Sequence, residues 1–170
     1  MTMRSEDAMS MKQVYGKPGH LIRRAQQIAV AIFIEECAAF DVTPVQYAAL
    51  VAIRENPGID ATRLSALVAF DRSTLGNVLE RLEAKGVVAR GASRGDRRIK
   101  VLTLTQVGRE LLAAVEPAVE RAQERIVAPL APEERVKLMA LLSRMVELNN
   151  EASRVPLRLV AGQGRVAGQA

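Results

Sequence analysis

The sequence is poor in the residues on which most catalytic and metal-binding sites depend. It has one cysteine (Cys37), one histidine (His20) and no tryptophan, and aromatic residues make up 3% of its 170 positions. A single cysteine excludes an internal disulfide and a multi-cysteine metal site, and a single histidine excludes zinc motifs built on histidine pairs. No nucleophile–base pair or glycine-rich phosphate loop stands out, so we expect no enzymatic activity and no cofactor.

Long apolar runs are also missing. The longest fall far short of the roughly 20 residues that span a bilayer. The N-terminal stretch MTMRSEDAMSMKQ carries acids and has no apolar centre, unlike a signal peptide. We therefore expect a cytoplasmic protein without a membrane partner.

Helical periodicity dominates what the sequence does contain. Hydrophobic residues make up 49% of the chain, and in several segments they recur three and four positions apart, as on one face of a helix. Four residues stand where a helix N-cap is expected: Thr43, Asp60, Asp71 and Thr105. Gly86 stands where a helix typically ends. The sequence predicts a mainly α fold.

Two apolar segments in the second half of the chain are typical of β-strands: VVAR at 87–90 and IKVLTLT at 99–105. They flank a short basic loop, which predicts a hairpin. The cations between positions 90 and 100 are Arg90, Arg94, Arg97, Arg98 and Lys100, against the single acid Asp96. Four of the five net positive charges are therefore concentrated here, which fits a polyanionic partner.

The order of predicted elements divides the chain into five parts. Long helices at both ends carry apolar stripes with no large partner in the chain, so we expect two chains to bury them together in an intertwined dimerisation lobe. The parts are a flexible N-terminal arm (1–16), a dimerisation helix (18–42), a winged helix-turn-helix lobe (43–105), C-terminal dimerisation helices (106–152) and a flexible tail (153–170).

The central part has the organisation of a DNA-binding motif. A helix at about 61–68, a turn, a helix at 72–86 and a basic hairpin form a winged helix-turn-helix, whose second helix enters the major groove. The polar face of that helix carries Arg72, Ser73, Thr74, Asn77 and Arg81. Arginine reads guanine edges and asparagine reads adenine, while hydroxyls and free N–H groups in the first turn attract phosphate.

The basic loop is interpreted as the wing. Arg94 and Arg97 are placed to reach the neighbouring minor groove or its phosphates. Asp96 is placed to pair with Arg98 and to fix the loop. Gly76 is unusual inside a helix and costs about 1 kcal/mol relative to alanine. Close approach to DNA or to a partner backbone is one reason to accept that cost.

These residues resemble the MarR family of bacterial transcriptional regulators. The resemblance rests on DRSTL, RLEAKG and the pattern D-R-R-x-K-x-L-x-LT-x-x-G within residues 70–112, and the helix order agrees over about 18–150. It implies an obligate homodimer, a winged helix on each subunit, and release from a palindromic operator when a small molecule binds. It adds Arg98 to the DNA-contacting residues. Gly76 departs from the family, in which a second hydroxyl residue is common.

The resemblance also implies a small-molecule effector, commonly a phenolic or aromatic carboxylate, bound between the dimer helices and the DNA-binding lobe. His20 and Arg24 share one helical face, with Arg23 adjacent, and suit a carboxylate and a ring substituent. Phe40 and Tyr47 are candidates for ring contacts. The alternative is that His20 caps its helix or packs at the dimer interface, with the two arginines as surface charges.

The opening PGHLIRRAQQI, with NPGIDATRLSALVAFDRSTLG, is similar to the family's repressors of nicotinate breakdown. That similarity implies a hydroxylated pyridine carboxylate as effector. Cys37 admits a redox role, because some members sense peroxide, but it lies near the end of its helix among Ile34, Ala38 and Ala39. A buried, inert thiol is the favoured interpretation.

Two other functions stay open at this point. One is a winged helix that binds proteins instead of DNA, against which the wing arginines and the polar first turn of helix 72–86 argue. The other is a constitutive architectural DNA-binding protein, which would show steep salt dependence, little operator preference and no response to an effector.

Overall fold

The computed structural model describes residues 10–93, 95 and 98–159. The described helices are α1 (Met11–Tyr15), α2 (Pro18–Glu36), α3 (Pro44–Glu55), α4 (Ala61–Val68), α5 (Arg72–Ala84), α6 (Gln106–Val127) and α7 (Pro132–Leu148). The strands are β1 (Ile59–Asp60), β2 (Val88–Ala92) and β3 (Lys100–Leu104), and short 3₁₀ turns, Ala38–Phe40 and Asn150–Ala152, follow α2 and α7. The predicted mainly helical fold is confirmed.

The predicted helix caps form in the structure. The Thr43 hydroxyl accepts the N–H of Gln46 at 3.3 Å, and the Gln46 side chain accepts the N–H of Thr43 at 3.1 Å, which completes a capping box. Asp60 accepts two backbone N–H groups of the first turn of α4, each at 2.9 Å. Asp71 and Thr105 cap α5 and α6 in the same way. These caps fix where the helices of the central lobe begin.

A three-stranded antiparallel sheet with the order β1-β3-β2 supports the hairpin. Ile59 pairs with Leu102, and Val88 pairs with Leu104. The sequence predicted β2 and β3. It gave no sign of β1, because a strand of two residues is too short to show an alternating pattern.

The core lies where α3, α4, α5, the sheet and α6 meet. Its largest fully buried side chains include Leu50, Ile53, Leu64, Leu75, Leu79, Leu82, Leu102 and Leu112. On α6, Val115, Ala118 and Ala122 are buried, while Leu111 is only partly buried. Most of this core belongs to the central lobe, and α2 contributes Phe33 alone among its residues.

The start of α6 is fastened to the segment between α5 and β2. The Thr105 hydroxyl donates to the Gly86 carbonyl at 2.7 Å and accepts the Gly108 N–H at 3.0 Å. A Cβ on Gly108 would lie 2.0 Å from the Val87 carbonyl oxygen, closer than any real contact. Only glycine fits at this position, which gives the LT-x-x-G motif a direct structural reason.

Ion pairs join α2 to α6 at one end of the molecule. Glu36 accepts from Arg125 at 2.6 Å and from Arg121 at 3.3 Å, and Glu35 accepts from Arg125 at 3.0 Å. The hydrogen bond from Arg125 is the main cause of the lowered pKa of Glu36. These contacts fasten the C-terminal end of α2 to the C-terminal half of α6.

The predicted flexible arm (1–16) and tail (153–170) lie partly outside the described residues, at 1–9 and 160–170, and their flexibility stays a prediction. Residues 11–15 form α1, because Ser10 and Gln13 build a capping box at its start. Residues 153–159 run back along the central lobe, because Asn150 and Ala66 supply hydrogen-bond partners for them. Among the described helices, none combines the length and the apolar character that a bilayer crossing requires.

Candidate nucleic-acid interface

The turn between α4 and α5 sets the direction of the second helix. Ala69 ends α4 in the left-handed conformation, with φ at 53°. The Ser65 hydroxyl donates to the Phe70 carbonyl at 2.6 Å, and Asp71 caps α5 immediately afterwards. Leu75, Leu79 and Leu82 then anchor one face of α5 in the core, so the opposite face points to solvent.

That solvent face holds the residues that the sequence assigned to DNA contact. Arg72, Ser73, Asn77 and Arg81 are all exposed along α5. A Cβ built on Gly76 meets nothing within 4 Å, so its small size serves no contact within the described chain. We call this exposed face of α5 the recognition face.

Thr74 is also exposed on α5, but its side chain takes part in the cap at the start of the helix. Its hydroxyl donates to the Asp71 carboxylate at 2.6 Å, and its backbone N–H donates to the same carboxylate at 2.9 Å. These two bonds lower the pKa of Asp71. The Thr74 hydroxyl proton is therefore committed to the helix cap, and only its lone pairs remain for an outside partner.

The hairpin between β2 and β3 is closed close to its tip. The Ser93 N–H donates to the Ile99 carbonyl at 2.9 Å, and the Gly95 N–H donates to the Ser93 hydroxyl at 3.3 Å. Arg98 is exposed. Arg94, Asp96 and Arg97 lie outside the described residues, so their roles as wing contacts and wing support stay predictions.

Two ion pairs hold the C-terminal end of α5, and sequence reasoning missed both. The Arg90 guanidinium on β2 donates to Glu83, which ties the hairpin to the helix. The Lys85 ammonium lies 2.7 Å from the Asp41 carboxylate, which ties the helix to the turn after α2. Each pair joins residues on different structural elements, so no local sequence pattern predicts it. Arg90 is thereby engaged in supporting the hairpin.

The candidate effector residues fall into two groups. At the start of α2, Arg23 Nη2 lies 3.5 Å from His20 Nδ1, and the His20 ring lies 5.3 Å from the Tyr15 ring. Arg23 and Arg24 both donate to the Gln27 side chain, at 3.1 and 3.2 Å. This first group is a basic, solvent-accessible cluster with one aromatic neighbour that the sequence did not predict.

The second group lies around Phe33, 13 residues further along α2, or roughly 20 Å at the helical rise. The Tyr47 ring lies 6.1 Å from the Phe33 ring, and Phe40 packs against the same core. Burial, followed by the nearby Glu116 carboxylate, raises the pKa of Tyr47. One chain therefore does not gather all five predicted residues in a single pocket, and their effector role stays a prediction.

A cavity of about 660 Å³ lies between α2, α7, the α4–α5 turn and the C-terminal segment. Its walls are mainly apolar and include Ile22, Ala69, Val146, Val155 and Leu157. The volume is in the range of small-molecule sites. Ile22 belongs to the same stretch of α2 as His20 and Arg23, so the basic cluster lies close by in sequence.

Cys37 is 1% exposed, at the end of α2. Burial is the main cause of the raised pKa of its thiol, which keeps the thiol protonated and unreactive at neutral pH. The interpretation of Cys37 as an inert core residue agrees with this environment.

Comparison with known proteins gives consistent matches over the described fold. Residues 40–99 match the model of the MarR family. The HTH-type transcriptional repressor NicR of Pseudomonas putida is 32% identical over 134 residues, which cover 79% of this chain and 85% of NicR.

Two solved structures share the architecture. One is BpsR of Bordetella bronchiseptica, whose DNA binding is regulated by 6-hydroxynicotinic acid. It is 33% identical to this chain with a TM-score of 0.73, and the match covers 78% of this chain and 95% of that chain. The other, the transcriptional repressor CouR bound to a 23-mer DNA duplex, is 28% identical with a TM-score of 0.74, covering 82% of this chain and 99% of that chain. About a fifth of this chain therefore lies outside each match.

Proposed function

This chain belongs to the MarR family of DNA-binding transcriptional regulators, and on that premise we propose that it is a homodimeric repressor released from a palindromic operator by a small aromatic acid. Family members are not enzymes, which agrees with the absence of a catalytic constellation in the sequence. The exposed recognition face of α5, held rigidly by its buried leucine face, is the observation that carries the proposal.

Homodimerisation is supported by the apolar surface of the long helices. None of the residues of α7 is buried in the single chain. Its large exposed apolar side chains are Val136, Met139, Leu141, Leu142, Val146 and Leu148. On α2, the apolar side chains of Leu21 and Ile28 are 55% and 48% exposed. A second copy of the chain would remove this surface from water, and its two-fold symmetry would call for a palindromic operator.

Operator reading is assigned to the recognition face. Arg72 and Arg81 suit guanine or phosphate, and Asn77 suits the N6 and N7 edge of adenine. Ser73 lies in the first turn, where free backbone N–H groups and the helix dipole favour a phosphate. The wing residues Arg94, Arg97 and Arg98 would supply a second contact in the adjacent minor groove.

The effector is proposed to be a hydroxylated pyridine carboxylate. Support comes from the 32% identity with NicR and from BpsR, whose DNA binding is regulated by 6-hydroxynicotinic acid. The His20, Arg23 and Arg24 cluster offers a cation for a carboxylate, and the apolar cavity beside Ile22 offers room for a ring. Phe40 and Tyr47, if they contact the ligand, would do so from a second site or from the partner subunit.

The DNA-binding part of the proposal is tested by fluorescence anisotropy on the DNA upstream of the protein's own gene, at two salt concentrations. Asn77→Ala should lose preference for the operator over scrambled DNA by roughly 5- to 100-fold, while non-specific affinity changes little. Asn149→Ala removes an exposed asparagine at the end of α7 and is the matched control. Equal preference in all three proteins would contradict the assignment of α5.

A further inference from the structure

The chain beyond α7 makes a specific connection to the helix that precedes α5. After the 3₁₀ turn Asn150–Ala152, residues 153–159 run back to the central lobe; we call them the C-terminal strap. The Arg158 backbone N–H donates to the Ala66 carbonyl, in the last turn of α4, at 3.0 Å. The strap therefore ends on the helix that precedes the recognition helix.

The Ala66 carbonyl is available because of how α4 ends. A continuing helix would give it the N–H of Phe70, but the N–H groups of Ala69 and Phe70 both donate to the Ser65 carbonyl. The last carbonyls of a helix need partners from outside the helix. The strap supplies that partner at the turn that aims α5.

The same end of the strap is also fastened to the 3₁₀ turn Asn150–Ala152, which follows α7, by two side chains. The Asn150 amide accepts the Leu157 N–H at 2.8 Å and donates to the Leu157 carbonyl at 3.3 Å. Glu151 forms a double hydrogen-bonded ion pair with Arg158, with one N–O distance of 2.8 Å. This double contact lowers the pKa of Glu151. The strap is thus clamped at Leu157 and Arg158, directly beside its contact with α4.

We propose that the C-terminal strap is a positioning device for operator binding, with Asn150 and Glu151 as positioning residues. By fastening the α4–α5 turn to the end of α7, it restricts the angle between each recognition helix and the C-terminal helices. In a dimer that angle sets the distance between the two recognition helices, which must match half-sites about one DNA turn apart. This inference rests on the proposed homodimeric operator binding.

The physical consequence is a difference between specific and non-specific binding. Specific binding needs both recognition helices in register with two half-sites, so added freedom of the α4–α5 turn lowers its affinity. Non-specific binding depends on phosphate contacts that tolerate many orientations. Loosening the strap should therefore weaken operator binding and flatten its dependence on half-site spacing, with little change on scrambled DNA.

The test compares the full-length wild-type chain with Asn150→Ala, Asn150→Ala/Glu151→Gln and the control Asn149→Ala. Asn149 is the matched neighbour, because its side-chain amide donates to the Met145 carbonyl at 2.8 Å, at the end of its own helix. Anisotropy is measured on operators whose half-sites are moved apart or together by one and two base pairs. Hydrogen exchange of the amides in the α4–α5 turn is measured on the free proteins.

The expected result is roughly a fivefold loss of affinity at the natural spacing for Asn150→Ala, a larger loss for the double variant, and a flatter spacing dependence for both. The control should behave as wild type, and amide exchange in the α4–α5 turn should quicken only in the strap variants. Strap variants with wild-type affinity and spacing dependence would overturn the proposal. If wild type itself prefers no DNA, the proposed function fails, and unchanged amide exchange would then overturn the strap's holding role separately.

Discussion

Lys85, at the C-terminal end of α5, lies with its ammonium nitrogen 2.7 Å from the carboxylate of Asp41, in the turn that follows α2. Asp41 is held in the left-handed conformation, with φ at 49°, which asparagine and aspartate tolerate better than most residues. The Asp41 side chain is 89% exposed, so the pair adds little to stability and serves mainly to orient α5.

Asp41→Asn should show how far this pair matters, because asparagine keeps the backbone conformation and removes the charge. Lys85 lowers the pKa of Asp41 in the folded protein below its unfolded value of about 3.9. The pair therefore stabilises the fold above that value and loses its effect as pH falls through the lower folded pKa. Urea midpoints of the two proteins should differ slightly at pH 7 and converge in acid. A difference that persists unchanged to pH 2 would exclude the ion pair as its cause.

Gly108→Ala should be severely destabilising. The added Cβ would lie 2.0 Å from the Val87 carbonyl oxygen, so either the start of α6 or the segment between α5 and β2 must shift. Such a shift breaks the Thr105 bonds as well, and a loss of at least roughly 2 kcal/mol is expected. Chemical denaturation measures it directly. A variant as stable as wild type would show that the junction has room that the structure denies it.

Gly76→Ala should have the opposite effect on stability. It lies inside α5 with nothing within 4 Å of an added Cβ, so alanine should stabilise the protein by about 0.5–1 kcal/mol. If the glycine is there for close approach of DNA, the same variant should bind its operator more weakly. A gain in both stability and operator affinity would remove DNA approach as the reason for glycine.

Cys37 should not act as a redox sensor. It is 1% exposed and burial raises the pKa of its thiol, so peroxide and alkylating reagents should react slowly with the folded protein. Operator affinity measured before and after peroxide treatment should be the same. Loss of binding that disappears in Cys37→Ala would contradict this account.

Local sequence patterns were sufficient to predict most of the helices and two of the three strands of the described fold. Thr43, Asp60, Asp71 and Thr105 cap helices because a short polar side chain there meets the free N–H groups of the first turn, a rule that needs only neighbouring residues. The recognition face was predicted from the polar residues on one side of helix 72–86. The resemblance to the MarR family, which rested on DRSTL, RLEAKG and the motif that follows them, is confirmed by the family match over residues 40–99 and by the 32% identity with NicR.

Contacts between distant segments were not predictable in the same way. The sequence does not indicate that Arg90 pairs with Glu83 or that Lys85 pairs with Asp41. Both ion pairs depend on how the helices and strands pack together. The strap is the first part of the segment that the sequence predicts to be a tail, and its contact with Ala66 joins residues more than 80 positions apart in the chain. The family resemblance predicted that His20 and Tyr47 line one effector site. In the structure their rings contact different partners, Tyr15 and Phe33, at different places along α2.

The most direct test of the whole account is an anisotropy titration of the protein–operator complex with 6-hydroxynicotinate, with nicotinate and benzoate as comparison acids. We expect a tight complex that 6-hydroxynicotinate dissociates at concentrations where the comparison acids have a weaker effect or none. His20→Ala and Arg23→Ala should raise the concentration required. A sequence-specific complex that none of these acids affects would contradict the proposed effector class and leave a repressor controlled by different chemistry.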